Sequence, residues 1–474
     1  MSPAGSCTPI RKSARPKSCS HWSETRAGGG ATPRPRMPGP LASSIRRASC
    51  VSCSASSARL RDGGRGCISI RMLGVLQGDP CTKSRPVRIV LTCNYSPWSR
   101  YSGGGQRSTH DLASALARRG HDVTVVFTKT PWELVHPPPS LPYRLRWATL
   151  PDYTSRAGAP LRVLSAWTVA NVVRRELTQG PPAIVHAQGE EAARLPRVRA
   201  RCRFGFVVTP RYPSLPPGLF APRRTLARGL GLLAGFGKYA ALGIALGAAD
   251  VCAPPSRYGG DLIRRAYRVA PDRIHPVHNG APPELFGYAW QPSADRDTRP
   301  ALFFGRFERS KGLDILLRAL RELGRDAPRM RLVGRGPYRG AVARMRDELG
   351  LTDKVELRDW VDHDELGKLL TESSMAILPS REESFSLAVL SAMAVGTPLI
   401  TTRVGGTGEL VEHGENGVLC PADDVGALGG AIEQLCRQPE RAAELAACGR
   451  RHVRDAFTWE VAARKFESLY ERLA

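Results

Sequence analysis

From residue 86 onward the chain alternates short apolar runs with longer stretches of helical periodicity. Residues 87–93 are almost continuously apolar and predict a buried strand. A loop over 94–106 carries Pro97 and the triplet Gly103, Gly104 and Gly105. Leu112, Ala113, Leu116 and Ala117 then mark one face of a helix that stops at Gly120, and residues 122–127 predict the next strand. Strands covered by helices on both faces read as unbroken apolar runs, so this order predicts a doubly wound parallel sheet. Residues 183–189, 204–210 and 249–256 read as further strand ends opening into loops. Residues 229–249, rich in Gly, Ala and Leu around Lys238, predict a buried helix. Their length approaches the ~20 residues of a membrane span, but several glycines interrupt them.

The second half restarts the pattern. Residues 301–304 predict a strand, followed by a glycine-bounded loop from Gly305 to Gly312 and a helix with Leu313, Ile315, Leu316 and Leu320 on one face. Residues 330–336 predict a strand and glycine turn, and 355–360 and 374–379 later strands. Between them, 362–370 forms a helix whose acidic start suits its dipole. Residues 386–395 predict a helix ended by Gly396 and Pro398, then a strand at 399–402 and a turn at Gly405 and Gly406. Residues 457–473 predict an amphipathic helix with Trp459, Val461, Phe466, Leu469 and Tyr470 as its apolar set. The expected fold is α/β, with two Rossmann-like domains facing across a cleft. The first spans 86–280, a proline-rich linker 281–300, the second 301–455, and a terminal helix 456–474.

Candidate chemistry gathers at the loops. Glu383 sits just before a helix start, where free N–H groups and the positive dipole end suit a phosphate. A carboxylate beside an anion site is better matched to hydroxyls, so sugar plus phosphate is the natural ligand. Arg306 and Lys311 follow a strand and precede a helix, where two fixed cations can stabilise a departing diphosphate; two solvated surface cations are the plain alternative. His186 at a strand end reads as a core histidine or a ligand. Arg211 reads as a guanidinium fork for phosphate or carboxylate, or as a surface salt-bridge partner. No Asp-x-Asp metal motif is seen near a cleft strand, so the expectation is no metal and no cofactor.

Residues 378–419, with the glycine-bounded loop at Gly305–Gly312 and the strand ends at 183–189 and 204–210, resemble retaining, family-4-type glycosyltransferases (glycosyltransferase group 1) of the GT-B fold. The likeness covers roughly residues 86–474. It implies a first domain that holds an acceptor, a second that holds a nucleotide-activated sugar, and a C-terminal helix crossing back. Glu383 matches the first glutamate of the family's pair, which contacts donor sugar hydroxyls. The second, eight positions on and directed at the ribose, is Ser391 here, and Ser386 replaces the usual glycine. Arg306 and Lys311 match the residues that grip the donor pyrophosphate. Gly104, Gly105, Gly305 and Gly334 let backbone approach the donor, and Phe385, Ser386 and Leu387 orient the sugar. His186 and Arg211 lie on the acceptor side, with Gln188 and Arg211 standing where the family has histidines. The implied activity moves a sugar from a UDP-, GDP- or ADP-linked donor to a hydroxyl of a glycan, lipid or small molecule. It proceeds with retention and without metal, the donor being a co-substrate. A non-catalytic nucleotide-sugar or polysaccharide-binding protein of the same fold is the main alternative, and a nucleotide-sugar epimerase a further one.

Composition changes this picture little. The net charge of +26 is concentrated at the start, where residues 1–85 hold 15 Lys and Arg against three Asp and Glu. That segment, rich in Ser, Arg, Gly and Pro, has no apolar periodicity to offset ordering entropy. It reads either as a disordered tail or as translation from a start upstream of the true one, with Met72 as the other start. The later basic residues form no stripe interleaved with aromatics, which argues against nucleic acid. Cys50 and Cys53 form a close pair without a second ligand pair, and the six cysteines after residue 86 are scattered through apolar segments as reduced thiols would be. A cytoplasmic protein is expected. Arg223, Arg224 and Arg228 before the 229–249 helix leave peripheral contact with an anionic inner membrane face open.

Overall fold

The computed structural model describes residues 85–99, 102–149, 163–181, 183–211, 227–293 and 298–473. The basic segment before residue 85, with Cys50, Cys53 and Met72, lies outside the described residues, as do Arg223 and Arg224.

The first half runs β1 (Arg88–Cys93), α1 (Gly104–Arg118), β2 (Asp122–Lys129), β3 (Arg144–Thr149), α2 (Val163–Thr178), β4 (Ala183–Ala187), α3 (Leu195–Arg199), β5 (Phe204–Val208), α4 (Ala227–Ala248), β6 (Val251–Cys252) and α5 (Arg257–Tyr267). The second runs β7 (Ala301–Phe304), α6 (Leu313–Leu323), β8 (Met330–Val333), α7 (Arg339–Glu348), β9 (Val355–Arg358), α8 (His363–Thr371), β10 (Ala376–Leu378), α9 (Leu387–Val395), β11 (Leu399–Thr402), β12 (Val418–Cys420), α10 (Val425–Arg437), α11 (Pro439–Ala456) and α12 (Trp459–Glu471).

The two sheets repeat one topology. The first is ordered β3-β2-β1-β4-β5-β6, and the second β12-β11-β10-β7-β8-β9, all parallel. Each reverses direction once, between β1 and β4 and between β7 and β10. Ligands of such sheets bind outside the carboxyl ends of the strands at that switch. In the first domain, therefore, the loops after Cys93 and Ala187 form the floor of a site; in the second, those after Phe304 and Leu378.

Two expectations change. The glycine triplet is not a free loop: Gly103 precedes α1, and Gly104 and Gly105 make its first turn. Gln106 fixes how the chain enters that helix, accepting from the Gly103 amide at 3.0 Å and donating to the Asn94 carbonyl at 2.7 Å. From Gly237 onward the predicted 229–249 helix is buried at Leu242, Ala245 and Leu246, while Ile244 is exposed. Among the described residues no helix is long and apolar enough to cross a membrane.

The chain end returns to the first domain. Trp459, Phe466 and Tyr470 of α12 are buried against Ile89, Leu91, Leu112 and Leu116 from β1 and α1. Burying each such aromatic side chain contributes about 1.5–3 kcal/mol. Arg119 and His121 hold the same helix through Glu467. The segment after Gly280 packs on the second domain instead: Leu285 and Trp290 join its core, with Trp290 Nε1 donating to the Ser373 carbonyl at 2.8 Å.

Candidate functional site

The second-domain switch point brings Lys311 and Glu383 together. Lys311 ends the turn after β7, and Glu383 lies in the loop after β10; Lys311 Nζ sits 2.7 Å from Glu383 Oε1. Ser380 Oγ donates to the same oxygen at 2.9 Å. Both charged side chains are largely shielded, so their attraction is little weakened by solvent. Glycines make the geometry possible. Gly312 adopts φ +66°, and a Cβ there would come within 1.9 Å of the Pro379 carbonyl oxygen, so the two loops touch through backbone. Gly405, at φ +52°, lies equally close under Glu383: a Cβ would reach its carbonyl oxygen at 1.6 Å. At the ends of β7 and β8, a Cβ on Gly334 would come within 1.8 Å of the Gly305 carbonyl oxygen, and both glycines adopt positive φ.

Arg306 does not join this pair. Its side chain is 63% exposed and bonded to Glu308 at 2.7 Å. Leu387 opens α9, and Ser386 caps it by accepting from the Val389 amide at 3.4 Å, so the helix start stands directly after Glu383, Ser384 and Phe385. Ser391 is buried in that helix, its hydroxyl donating to the Leu387 carbonyl at 2.8 Å.

In the first domain, Gly104 meets the start of α9. A Cβ on Gly104 would approach Leu387 Cδ1 to 2.8 Å, so the starts of α1 and α9 touch across the two domains. His186 is fully buried, Nδ1 bonded to the Tyr470 hydroxyl at 2.7 Å and Nε2 to Thr209 Oγ1 at 2.8 Å. Burial and the nearby Arg211 charge push it down to about 3, so it stays neutral. Both ring nitrogens serve the fold. Arg211 lies beside Gly105 with its guanidinium turned inward, Nε donating to Gln188 Oε1 at 2.7 Å and Nη1 to Asn279 Oδ1. Among the described residues no group of three or more His, Cys, Asp or Glu is placed to hold a metal ion.

The family model described as "Glycosyl transferases group 1" matches residues 298–438, and that described as "Glycosyltransferase Family 4" matches residues 102–285. The chain belongs to this family of glycosyltransferases. It is similar to the D-inositol 3-phosphate glycosyltransferase of Corynebacterium diphtheriae, 33% identical over 227 residues covering 44% of this chain and 53% of that protein. It is also similar to the glycogen synthase of Mycobacterium tuberculosis, 33% identical over 177 residues covering 36% of this chain and 43% of that protein. The chain thus spans about half the length of the curated relatives it matches. Among solved structures, the sucrose-phosphate synthase of Thermosynechococcus elongatus aligns with TM-score 0.65 at 22% identity, covering 81% of this chain and 98% of the other. HepE of Anabaena, solved in complex with UDP and glucose, aligns with TM-score 0.63 at 17% identity, covering 82% and 100%. The fold is GT-B.

This glycosyltransferase-family chain also uses residues that sequence reasoning passed over. Glu409 accepts from the amides of Arg257 and Tyr258 at 2.9 and 3.0 Å, and bonds His278 Nε2 at 2.9 Å. Burial pushes its carboxyl up, but those hydrogen bonds outweigh burial and hold it below the usual range. Ser256 Oγ donates to the Ser384 carbonyl at 2.8 Å while accepting from Gly259, and the His278 ring stacks on Phe385 with centroids 5.2 Å apart. The start of α5 is therefore satisfied by side chain and backbone of the opposite domain. A faint signal existed in the glutamate three positions after Gly406, but its partners lie about 150 residues earlier.

Proposed function

We propose that the protein transfers a sugar from a nucleotide-diphosphate donor to an acceptor hydroxyl, with retention of anomeric configuration and without a metal. The observation that carries this reading is the Lys311–Glu383 pair at the second-domain switch point, directly before the start of α9. A diphosphate placed there meets Lys311 and the positive end of α9, and both stabilise the charge that grows as the sugar bond breaks. Glu383, held by Lys311 and Ser380, presents its remaining oxygen to sugar hydroxyls. Arg306 exchanges Glu308 for the diphosphate when donor arrives. Gly305 and Gly334 keep the backbone open for the nucleotide, while Phe385, Ser386 and Leu387 position the ring. Holding both substrates in line supplies much of the rate, because it removes the entropy of bringing them together. HepE was solved with UDP and glucose, which makes UDP-linked glucose the first donor to try. Glycan, lipid or small-molecule hydroxyls are the acceptor class.

The test is product formation from UDP-glucose with a panel of acceptors, comparing the protein with Lys311→Met. Transfer that disappears in the variant supports the reading; equal rates in both overturn the role of Lys311. A second reading, nucleotide-sugar binding without transfer, is favoured by the internal bonding of Ser391, which leaves no acidic group at that position for the ribose. Tight donor binding in calorimetry with no product over long incubation would select it.

A further inference from the structure

Arg211 turns its guanidinium inward, and among the described residues no carboxylate bonds to it. Its Nε and Nη1 bond the neutral amide oxygens of Gln188 and Asn279. Two groups nearby could supply negative charge and do not. Burial pushes the Cys93 thiol up to about 12, and burial likewise raises the Tyr470 hydroxyl, so both stay neutral. Asp111 is already bonded to Arg107 at 3.0 Å. Burial consequently lowers the Arg211 guanidinium to about 10.

Two donors are also left over. Arg211 Nη2 and Gln188 Nε2 are buried and have no hydrogen-bond partner among the described residues. They belong to one bonded pair, so they lie close together. An unpaired buried donor is costly, more so when it is charged, so two on directly bonded side chains mark a place where an acceptor group belongs. The pair is also braced: the Gln188 backbone N–H donates to Glu191 Oε1 at 2.8 Å, the Arg211 stem packs beside Gly105, and its guanidinium lies over the Trp459 ring. It stands at the carboxyl ends of β4 and β5, one residue from the point where Gly104 meets Leu387.

We propose that Arg211 and Gln188 form an anion-recognition subsite in the first domain that takes a carboxylate or phosphate monoester carried on one of the two substrates. The inference rests on the nucleotide-sugar reading only for the statement that the anion is part of a sugar substrate. A two-oxygen anion fits because Nη2 and the amide Nε2 supply two adjacent N–H donors and the guanidinium supplies the charge.

Calorimetry on the full chain tests this in two arms. The first compares glucuronate and glucose 6-phosphate with glucose, without nucleotide. The second compares UDP-glucuronate with UDP-glucose. The expected result is at least tenfold tighter binding of the anionic compound in one arm, abolished in Arg211→Gln and partly kept in Arg211→Lys. The first arm responding places the anion on the acceptor, and the second places it on the donor. No preference in either arm, or a preference unchanged in Arg211→Gln, overturns the proposal. UDP alone, titrated in parallel, reports on the donor reading and on the integrity of each variant. UDP binding without an anion preference sinks the subsite alone, whereas a preference in the first arm without UDP binding sinks the donor reading alone.

Discussion

Lys311 and Glu383, 72 residues apart, meet at 2.7 Å because their strands, β7 and β10, are neighbours at the point where the second sheet reverses. The contact belongs to the topology rather than to either loop.

Removing either charge therefore strikes transfer more than folding. Lys311→Met and Glu383→Gln should each lower kcat by roughly 10²–10³-fold, the usual cost of one preorganised electrostatic group. Melting temperature should fall as well, but less sharply than the rate, because each variant leaves a partly shielded partner unpaired. Initial rates with UDP-glucose, beside thermal denaturation, check both expectations.

Gly405 tests the support beneath that pair. Alanine there is strained at φ +52° and collides with the Glu383 carbonyl oxygen. Gly405→Ala should displace the 383–385 loop, costing roughly 1–3 kcal/mol in stability, as left-handed backbone strain does. Urea denaturation measures the first effect. Donor titration should show weaker binding of the sugar nucleotide than of free UDP.

Glu409 joins the domains through a charged group. Glu409→Gln keeps its size but weakens three hydrogen bonds to a carboxylate, and should destabilise the protein by roughly 1–3 kcal/mol. Because its folded pKa is depressed, its contribution is present above the ordinary value of 4.5 and is lost as pH falls through the lower folded value. Denaturation series at several pH values should show the wild type approaching the variant below pH 4.5.

His186 has the same pH sign for a different reason. The folded protein holds it neutral down to about 3, whereas the unfolded chain protonates it near 6.5. The stability it contributes is complete above 6.5 and drains away as pH falls from 6.5 toward 3. His186→Gln should flatten that part of the curve by up to one proton. His110, pushed down to about 4 mainly by burial, preserves a residual slope.

Ser391 is bonded within its own helix. Ser391→Ala should leave the donor KM within about twofold, since a local side-chain to backbone bond contributes little beyond the helix. A large rise in KM would show that the hydroxyl turns to the substrate.

Much of the α/β alternation is legible in the chain. Strands such as Ala301–Phe304 and Phe204–Val208 are buried on both faces and are apolar throughout, a signal that needs no partner to interpret. β3 escapes the pattern because it is a half-exposed edge strand in which Arg144 and Arg146 alternate with Leu145 and Trp147. α10 and α11 are diluted by Gly426, Gly429 and Gly430 and by alternating Ala and Arg. At the site, the glycine-bounded loop and Glu383 can be read locally, but their meeting depends on sheet order. Spacing groups Arg306 with Lys311, and only the turn between them reveals its bond to Glu308. Glu409 leaves only its place after Gly406 as a local sign, since its value lies in amides left free by α5 in the other domain.

The position of α12 bears on how the molecule is made. A ribosome delivers β1 and α1 more than 300 residues before Trp459, Phe466 and Tyr470, the aromatics that seal their outer side. During synthesis the early lobe waits with an open apolar flank while the later lobe has its own interior in hand. Vectorial production thus leaves that flank uncovered until α12 has emerged.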